Sequence, residues 1–160
     1  MMARISRDGM YMKVAEAVAL RGTCDRAYVG AVLVEGEKNI IAMGYNGAPS
    51  GEPHCDEVGH LMVNGHCTRA RHAEENCLSK IDLFTTHGYL TLYVTHYPCM
   101  KCVHEILRAR MNGLPLAKIV YRSPYRSDGG TDACVREALL KGVGIIVERL
   151  GETVDEDKKS

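Results

Sequence analysis

The sequence predicts an α/β protein folded as a three-layer α/β/α sandwich around a mixed five-stranded sheet. Two observations lead to this fold class. The first two β-rich segments are separated by a turn of hairpin length, so they are expected to pair antiparallel. The three later β-rich segments alternate with segments of helical periodicity, which is typical of parallel strands covered by helices.

The first half of the chain contains a predicted helix, a hairpin and a long loop. Apolar residues recur at helical spacing between Asp8 and Leu20, and Gly22 follows as a stop signal. The hairpin strands run from Val29 to Val34 and from Asn39 to Tyr45. Residues 46–71 are rich in Gly and lack sustained periodicity, and a loop of this length is usually functional or held by something other than packing.

The second half alternates helices and strands. The predicted elements are a helix from His72 to Phe84, a strand from Tyr89 to Thr95, a helix from Cys99 to Met111, a strand from Ala117 to Tyr121, a helix from Thr131 to Leu140 and a strand from Gly144 to Val147. We therefore expect one domain over residues 1–150, followed by a charged tail over residues 151–160.

Charge and cysteine content restrict the function classes. The 160 residues carry 20 Lys+Arg and 20 Asp+Glu, and this zero net charge argues against a general nucleic-acid binder. The sequence lacks a signal-peptide pattern and an apolar run of about 18 residues, so a cytoplasmic protein without a membrane partner is expected. Seven cysteines with seven histidines then favour metal binding or catalysis over disulfides. Cys77 and Cys134, alone in helical patterns, are predicted to be buried core thiols.

Two short motifs predict a metal site. His72-Ala73-Glu74 and Pro98-Cys99-Met100-Lys101-Cys102 each begin a predicted helix. His72, Cys99 and Cys102 supply the three ligands of a catalytic zinc site, which leaves the fourth position to water. Glu74 lies two residues past His72, where it can take a proton from that water without binding the metal. The alternative is a closed structural site with a fourth Cys or His ligand, which has no use for Glu74.

With these motifs the sequence resembles the cytidine deaminase superfamily and, within it, the deoxycytidylate (dCMP) deaminases. The combined H-x-E and P-C-x-x-C pattern is a known zinc-deaminase signature, in which the Glu is the general acid and base. The resemblance extends over these segments: Val29-Gly30-Ala31-Val32, Gly44-Tyr45-Asn46-Gly47-Ala48-Pro49-Ser50-Gly51, Pro53-His54-Cys55-Asp56, Gly65-His66-Cys67 and Leu92-Tyr93-Val94-Thr95. It implies a cytidine deaminase-like fold and the zinc-dependent hydrolysis of dCMP to dUMP and ammonia, which supplies dUMP for thymidylate synthesis.

The resemblance also implies contacts with the nucleotide. Asn46 is expected to contact the sugar, the backbone around Ala73 the base, and Tyr125 to pack near the pyrimidine. Arg26 and Arg126 are candidates for the phosphate, because guanidinium matches phosphate oxygens in bidentate fashion. The alternatives are a turn residue for Asn46, a half-buried core aromatic for Tyr125 and solvated surface charges for the two arginines.

Regulation and assembly are further implications of the resemblance. In dCMP deaminases the segment equivalent to Tyr45, Asn46 and Gly47 borders a regulatory site, where dCTP activates and dTTP inhibits a homohexamer. Mg²⁺ would accompany the regulatory nucleotide. The chain departs from its relatives at residues 77–82, where they favour an alanine-rich helix, and this departure concerns the subunit contacts and the regulation rather than the chemistry.

A second, structural zinc is expected near the long loop, as in several bacterial and phage dCMP deaminases. The candidate donors are Cys24, His54, Cys55, His60, His66 and Cys67. Spacing does not select among them. Because adjacent side chains commonly diverge, one donor from each neighbouring pair gives Cys24, His54, His60 and Cys67, with Cys55 beside the site. The alternative is solvent-facing His and buried Cys without a metal.

Three functions remain to be compared. The first is a free-nucleotide deaminase that prefers dCMP, with dCTP or cytidine as alternative substrates. The second is a nucleic-acid deaminase acting on tRNA adenosine, which the zero net charge disfavours. The third is a structural zinc-binding module without activity, which the presence of Glu74 beside His72 disfavours.

Overall fold

The computed structural model describes residues 4–125 and 131–151. Its helices and strands are α1 (Arg7–Ala19), β1 (Gly30–Glu35), β2 (Asn39–Tyr45), α2 (Cys55–Val58), β3 (Met62–Val63), β4 (His66–Cys67), α3 (Ala73–Leu78), β5 (Leu90–His96), α4 (Met100–Met111), β6 (Leu116–Ser123), α5 (Thr131–Gly142) and β7 (Ile146–Arg149). Among the described residues, no helix has the length and apolar content needed to cross a membrane.

The main sheet is mixed, as the sequence predicts. Its five strands lie in the order β2-β1-β5-β6-β7. β1 pairs antiparallel with both β2 and β5, whereas β5, β6 and β7 are parallel. The parallel strands are connected through α4 and α5, as expected of crossover connections. This arrangement confirms the predicted fold class.

Two apolar clusters separate the layers of the sandwich. On one face of the sheet, Met12 and Ala15 of α1 pack with Val32 and Val120. On the other face, buried residues of α3, α4 and α5 pack with alternate strand residues such as Leu33 and Leu92; the helical members of this cluster are Ala73, Cys77, Val103, Ile106 and Leu140. Because successive strand residues point to opposite faces, neighbouring residues of β1 serve different clusters.

Two glycines allow helices to lie close against the strands. A Cβ on Gly30 would be 1.9 Å from the Ala15 carbonyl oxygen of α1. A Cβ on Gly44 would be 2.3 Å from the Ala73 carbonyl oxygen and 2.4 Å from the Cys77 amide nitrogen of α3. The absence of a side chain at Gly30 and at Gly44 therefore sets the distances of α1 and α3 from the sheet.

Three local expectations are corrected. The helix predicted to end at Phe84 ends at Leu78, because Asp82 forms a turn in which its carboxylate accepts from the Phe84 amide, and the Phe84 side chain is 93% exposed. The loop over residues 46–71 contains three short elements, α2, β3 and β4. Cys134, predicted to be in the core, is exposed on α5, whereas Cys77 is buried as predicted.

Candidate functional site

Strand direction brings the predicted site residues to one end of the sheet. Gly30 at the start of β1 pairs with Tyr45 at the end of β2, and Ala31 pairs with Val94 near the end of β5. The parallel strand β6 ends at the same edge, since Val94 pairs with Tyr121. The loops that follow these ends contain the residues singled out by the motifs. The order and direction of the strands therefore bring motifs that are distant in sequence to the same end of the sheet.

The first metal-binding group lies where α3 and α4 begin. His72 is the N-cap of α3, Cys99 is the N-cap of α4, and Cys102 lies in the first turn of α4. The His72 Nδ1 atom is 3.4 Å from the Cys99 sulfur and 3.2 Å from the Cys102 sulfur. All three donor atoms lie within 4.8 Å of one another, so the two helix starts present one His and two Cys to a common point.

The donor set fits a catalytic zinc ion. In tetrahedral coordination a zinc-bound nitrogen and sulfur are about 3.6 Å apart, and the observed separations are within a few tenths of an ångström of that value. Within the described residues, the group contains three donors and no fourth. A three-donor group with an open position is typical of catalytic rather than structural zinc.

The two thiols of this group titrate very differently. A hydrogen bond with Cys102 is the main cause that lowers the pKa of Cys99 to about 4, and His72 adds to it. The same contact and burial raise the pKa of Cys102. The hydrogen bond with Cys99 raises the pKa of His72. Cys99 is therefore the thiol of the pair that ionises more readily, whereas metal binding requires both thiols to be deprotonated and His72 to be neutral.

Glu74 lies in the first turn of α3 and is 4% exposed. Burial raises the pKa of its carboxyl group to about 7, and the Cys102 thiol is a hydrogen-bond neighbour. A carboxyl group with a pKa near neutrality can both accept and donate a proton at physiological pH. The position agrees with the prediction that Glu74 lies next to the metal ligands.

Glu75 and Lys101 contact the start of α3 at His72, and the sequence motifs did not identify them. The Glu75 carboxylate accepts a hydrogen bond from the His72 amide at 2.9 Å. Its other oxygen is 3.1 Å from the ammonium group of Lys101 on α4. Burial opposes this charge, but the His72 amide and Lys101 lower the pKa of Glu75 overall. Glu75 thus links the two ligand-bearing helices, and its spacing after His72 is that of a capping box.

A second metal-binding group contains Cys24, Cys55, His60 and Cys67, whose donor atoms lie within 4.8 Å of one another. The sulfurs of Cys55 and Cys67 are 3.5 Å apart, and the His60 Nδ1 atom is 3.6 Å from the Cys24 sulfur. Four sulfur and nitrogen donors fit a closed, structural zinc site.

The predicted second set is corrected at one position. His54 does not belong to the group, because it is the N-cap of α2 and its Nδ1 atom forms a 2.9 Å hydrogen bond with the Thr23 hydroxyl. Cys55, the first residue of that helix, takes its place. Spacing alone could not choose between adjacent residues, because the choice depends on the position of the helix start.

The surroundings of the second group also suit a metal. His60 presents Nδ1 to the cysteines while its Nε2 atom is 2.9 Å from an Asp25 carboxylate oxygen, an arrangement that orients metal-bound histidines. Burial raises the pKa of Cys55 to about 12. Burial also opposes ionisation of Cys67, but hydrogen bonds from the Ala70 amide and from His60 lower its pKa to about 6.

Asn46 is buried, and its side chain binds the backbone of the loop before β1. Its oxygen accepts from the Val29 amide at 2.8 Å, and its nitrogen donates to the Cys24 carbonyl at 2.9 Å and to the Ala27 carbonyl. Both amide protons are therefore used within the protein. Asn46 orders the loop that carries Cys24, in place of presenting its amide protons to a sugar.

The remaining predicted contacts lie at the same end of the sheet or outside the described residues. Tyr125 is half-buried after β6. Arg26 is exposed and donates to the Gly65 carbonyl at 3.1 Å, and Arg126 lies outside the described residues. Gly47 forms a two-way backbone bridge with Arg71, which fixes the chain just before His72.

Ala73, expected to contact the base, and Tyr45, expected to border the regulatory site, both lie next to the start of α3. Ala73 is fully buried at the start of α3, and Tyr45 is half-buried at the end of β2. The side-chain amide of Asn76 donates to the Tyr45 carbonyl at 2.8 Å and to the Gly47 carbonyl at 3.2 Å. The end of β2 and the start of α3 therefore form one hydrogen-bonded unit.

An α/β/α sandwich with an open His-Cys-Cys group beside a buried Glu defines a zinc-dependent deaminase. Residues 5–118 match the family model described as the cytidine and deoxycytidylate deaminase zinc-binding region. The chain belongs to this family, and it is accordingly a hydrolytic deaminase that uses zinc.

Individual relatives agree with this assignment. ComE operon protein 2 of Bacillus subtilis is 39% identical over 151 residues, which cover 93% of this chain and 74% of that protein. The deoxycytidylate deaminase of Schizosaccharomyces pombe is 32% identical over 143 residues, which cover 84% of this chain. The match spans only 42% of the length of the yeast enzyme.

Among solved structures, the dCMP deaminase of the cyanophage S-TIM5 in its apo form is similar throughout. It superposes with a TM-score of 0.64 at 28% sequence identity, and the match covers 89% of this chain and 96% of that chain. The similarity in fold therefore covers most of this chain and nearly all of the cyanophage enzyme.

Proposed function

We propose that the chain catalyses the hydrolysis of dCMP to dUMP and ammonia, and so supplies dUMP for thymidylate synthesis. The observation that carries the proposal is the three-donor group His72, Cys99 and Cys102, with Glu74 buried beside it. The choice of dCMP rests on the yeast and cyanophage relatives, which are named as deaminases of this nucleotide.

The chemistry divides between the metal and Glu74. His72, Cys99 and Cys102 would hold the zinc ion, which would supply a nucleophile for C4 of cytosine by lowering the pKa of water toward neutrality. Glu74 would accept one proton of the attacking water and deliver it to N3. It would then take the remaining proton of the new C4 hydroxyl and deliver it to the amino group, which leaves as ammonia as the C4 carbonyl forms. The raised pKa of Glu74, which follows from burial, suits a carboxyl group that must act as base and then as acid.

The proposed nucleotide contacts are those that the family resemblance implies. Tyr125 would pack against the pyrimidine and the backbone around Ala73 would contact the base. Arg26 and Arg126 would bind the phosphate; Arg26 lies on the loop that Asn46 and Cys24 order. Asn46 supports the sugar site through this loop. A net charge of zero is compatible with a small anionic substrate held by a few local cations.

The second group, Cys24, Cys55, His60 and Cys67, would hold a structural zinc. The closed four-donor set and the Asp25 contact with His60 support this assignment. The metal would join the loop before β1 to the segment that contains α2, β3 and β4. A cytoplasmic enzyme with one catalytic domain over residues 1–150 fits the same proposal.

Assembly and regulation are proposed from family resemblance alone. The enzyme would form a homohexamer in which dCTP activates and dTTP inhibits, with Mg²⁺ bound to the regulatory nucleotide. Tyr45, Asn46 and Gly47 would border that site. Ultracentrifugation of the purified protein, with and without dCTP and Mg²⁺, tests the assembly.

A deamination assay with purified protein tests the proposed function. Ammonia release and loss of cytosine absorbance would be measured with dCMP, CMP, deoxycytidine, cytidine and dCTP, and also with tRNA. Turnover that is fastest with dCMP is expected. Turnover of tRNA or of a cytidine without the 5′-phosphate in preference to dCMP would overturn the substrate assignment.

A further inference from the structure

Arg136 is a buried cation in α5 that contacts the turn leading to the catalytic cysteines. It is 1% exposed. Its Nη1 atom donates to the Pro98 carbonyl oxygen at 2.9 Å, and its Nε atom donates to the Asp132 carbonyl oxygen at 3.2 Å. Pro98 directly precedes Cys99, so the guanidinium group holds the backbone at the point where α4 begins.

Two aromatic rings face the same guanidinium group. Its central carbon lies 4.9 Å from the ring centroid of Tyr97 and 5.4 Å from that of Tyr125. Tyr97 also packs edge-on against Tyr121 of β6, with centroids 4.8 Å apart. One side chain therefore joins the end of β5, the end of β6 and α5.

Burial of a guanidinium group carries a desolvation cost that an apolar side chain of similar size would avoid. The hydrogen bonds and ring contacts offset this cost, and they add direction because the guanidinium plane fixes the angles between its donors. A lysine could reach one carbonyl, but it lacks the planar fork that stacks on a ring. The contacts of Arg136 thus specify relative positions in addition to filling space.

We propose that Arg136 is a positioning residue for the catalytic metal site. It fixes the Pro98–Cys99 backbone so that the sulfurs of Cys99 and Cys102 stay at bonding distance from one ion. It also holds the Tyr125 ring, which is proposed to pack against the pyrimidine. The inference rests on the proposed role of Cys99 and Cys102 as zinc ligands, and it does not depend on which nucleotide is the substrate.

Two substitutions at this position and one matched control test the proposal. R136M keeps an unbranched but shorter apolar side chain and removes the donors and the charge, and R136K keeps the charge and removes the fork. R108M is the control, because Arg108 lies on the same helix as the cysteines but its side chain is 73% exposed. Zinc per chain after a timed chelator challenge and the visible spectrum of the cobalt-substituted protein are measured first, since neither needs a substrate.

R136M is expected to lose one zinc per chain about 10–100 times faster than the unsubstituted protein, with altered cobalt–thiolate bands. kcat for dCMP should fall and KM should rise, since both the metal and the Tyr125 ring are displaced. R136K should be intermediate and R108M unchanged. A protein inactive on dCMP but showing these metal effects would reject the proposed substrate and support the role of Arg136.

A folded R136M with normal zinc release and an unchanged cobalt spectrum would overturn the proposal, even if its melting temperature were lower. If R136M does not fold, R136K decides by the same two measurements. If R136K is also unfolded, Arg136 is required for folding in general and the proposal is rejected.

Discussion

At the scale of single residues, two adjacent carboxyl groups in the first turn of α3, those of Glu74 and Glu75, have opposite pKa shifts. Burial raises the pKa of Glu74, while the His72 amide and Lys101 outweigh burial and lower the pKa of Glu75. Adjacent residues of a helix point about 100° apart, so one faces the metal group and the other faces α4. Glu74 is therefore suited to transferring protons, and Glu75 is suited to remaining an anion.

Glu74→Gln is expected to abolish nearly all turnover while zinc binding is retained. The amide has the same shape as the carboxyl group but cannot accept the proton of the attacking water, so kcat should fall by about 10²–10⁴. Steady-state kinetics and metal analysis measure the two effects. Glu105→Gln is the control, since Glu105 is half-buried on α4, pairs with Arg108 and belongs to neither metal-binding group. An active Glu74→Gln protein would overturn the assigned mechanism.

Glu75→Ala is expected to weaken zinc binding at the first group by about 10–100-fold, because the His72 backbone loses its acceptor and α3 loses its link to Lys101. Competition with a chelator measures the affinity. Glu57→Ala is a matched control, since Glu57 accepts from the His54 amide at 3.0 Å in an equivalent capping box next to the second group. Equal losses at the first group from both substitutions would contradict the positioning role of Glu75.

At the scale of elements, α3 is fixed by a glycine contact and by the Asn76 amide. Gly44 lets the helix backbone approach β2, and Asn76 binds the carbonyls at the end of that strand. The helix is short, with only six residues, so these contacts rather than its own propensity hold it in place. The positions of His72 and Glu74 therefore depend on the contacts between α3 and β2.

Gly44→Ala is expected to lower the free energy of unfolding by about 1–3 kcal/mol, because a methyl group would overlap the Ala73 oxygen and push α3 away from the sheet. Activity of the folded fraction should fall as well. Denaturant unfolding and kinetics measure both effects. Gly142→Ala is the control, since its Cβ meets nothing within 4 Å. An unaltered Gly44→Ala protein would mean that α3 is not held at this contact.

Sequence patterns predicted every strand of the main sheet and the four longer helices, α1, α3, α4 and α5, with α3 shorter than expected. These elements have clear periodicity or contiguous apolar residues. The end of α3 was missed because Asp82 forms a turn that helical periodicity does not reveal. Cys55 was missed as a metal-binding residue because the choice between it and His54 depends on where α2 begins. Glu75 and Arg136 bind backbone groups next to the metal-binding residues; the capping-box spacing of Glu75 after His72 is a short and common sequence signal, and Arg136 has none.

At the scale of the whole molecule, the second metal group ties together segments that are distant in sequence. Cys24 comes from the loop after α1, Cys55 from α2, and His60 and Cys67 from the segment around the short β3–β4 hairpin. Few apolar contacts are available here, since Leu61, Met62 and Val63 are all largely exposed. A metal would supply the cohesion that packing does not.

Cys55→Ser is expected to reduce the zinc content from about two ions per chain to about one, whereas His54→Ala should leave it at two. The first substitution removes a donor of the closed group, and the second removes the hydrogen bond with Thr23 and the side-chain part of the α2 capping box. Atomic emission analysis of dialysed protein gives the counts. The reverse result would restore the assignment based on spacing, and one zinc in the unsubstituted protein would remove the second site.

The order of the donors along the chain also sets the order in which the two metal-binding groups can be completed during protein synthesis. The four donors of the second group, from Cys24 to Cys67, all precede β5 in the chain, whereas Cys99 and Cys102 follow it. A nascent chain that ends between residues 67 and 99 contains every donor of the structural site. The catalytic site has at most His72 at that stage, so it is the last of the two to be completed.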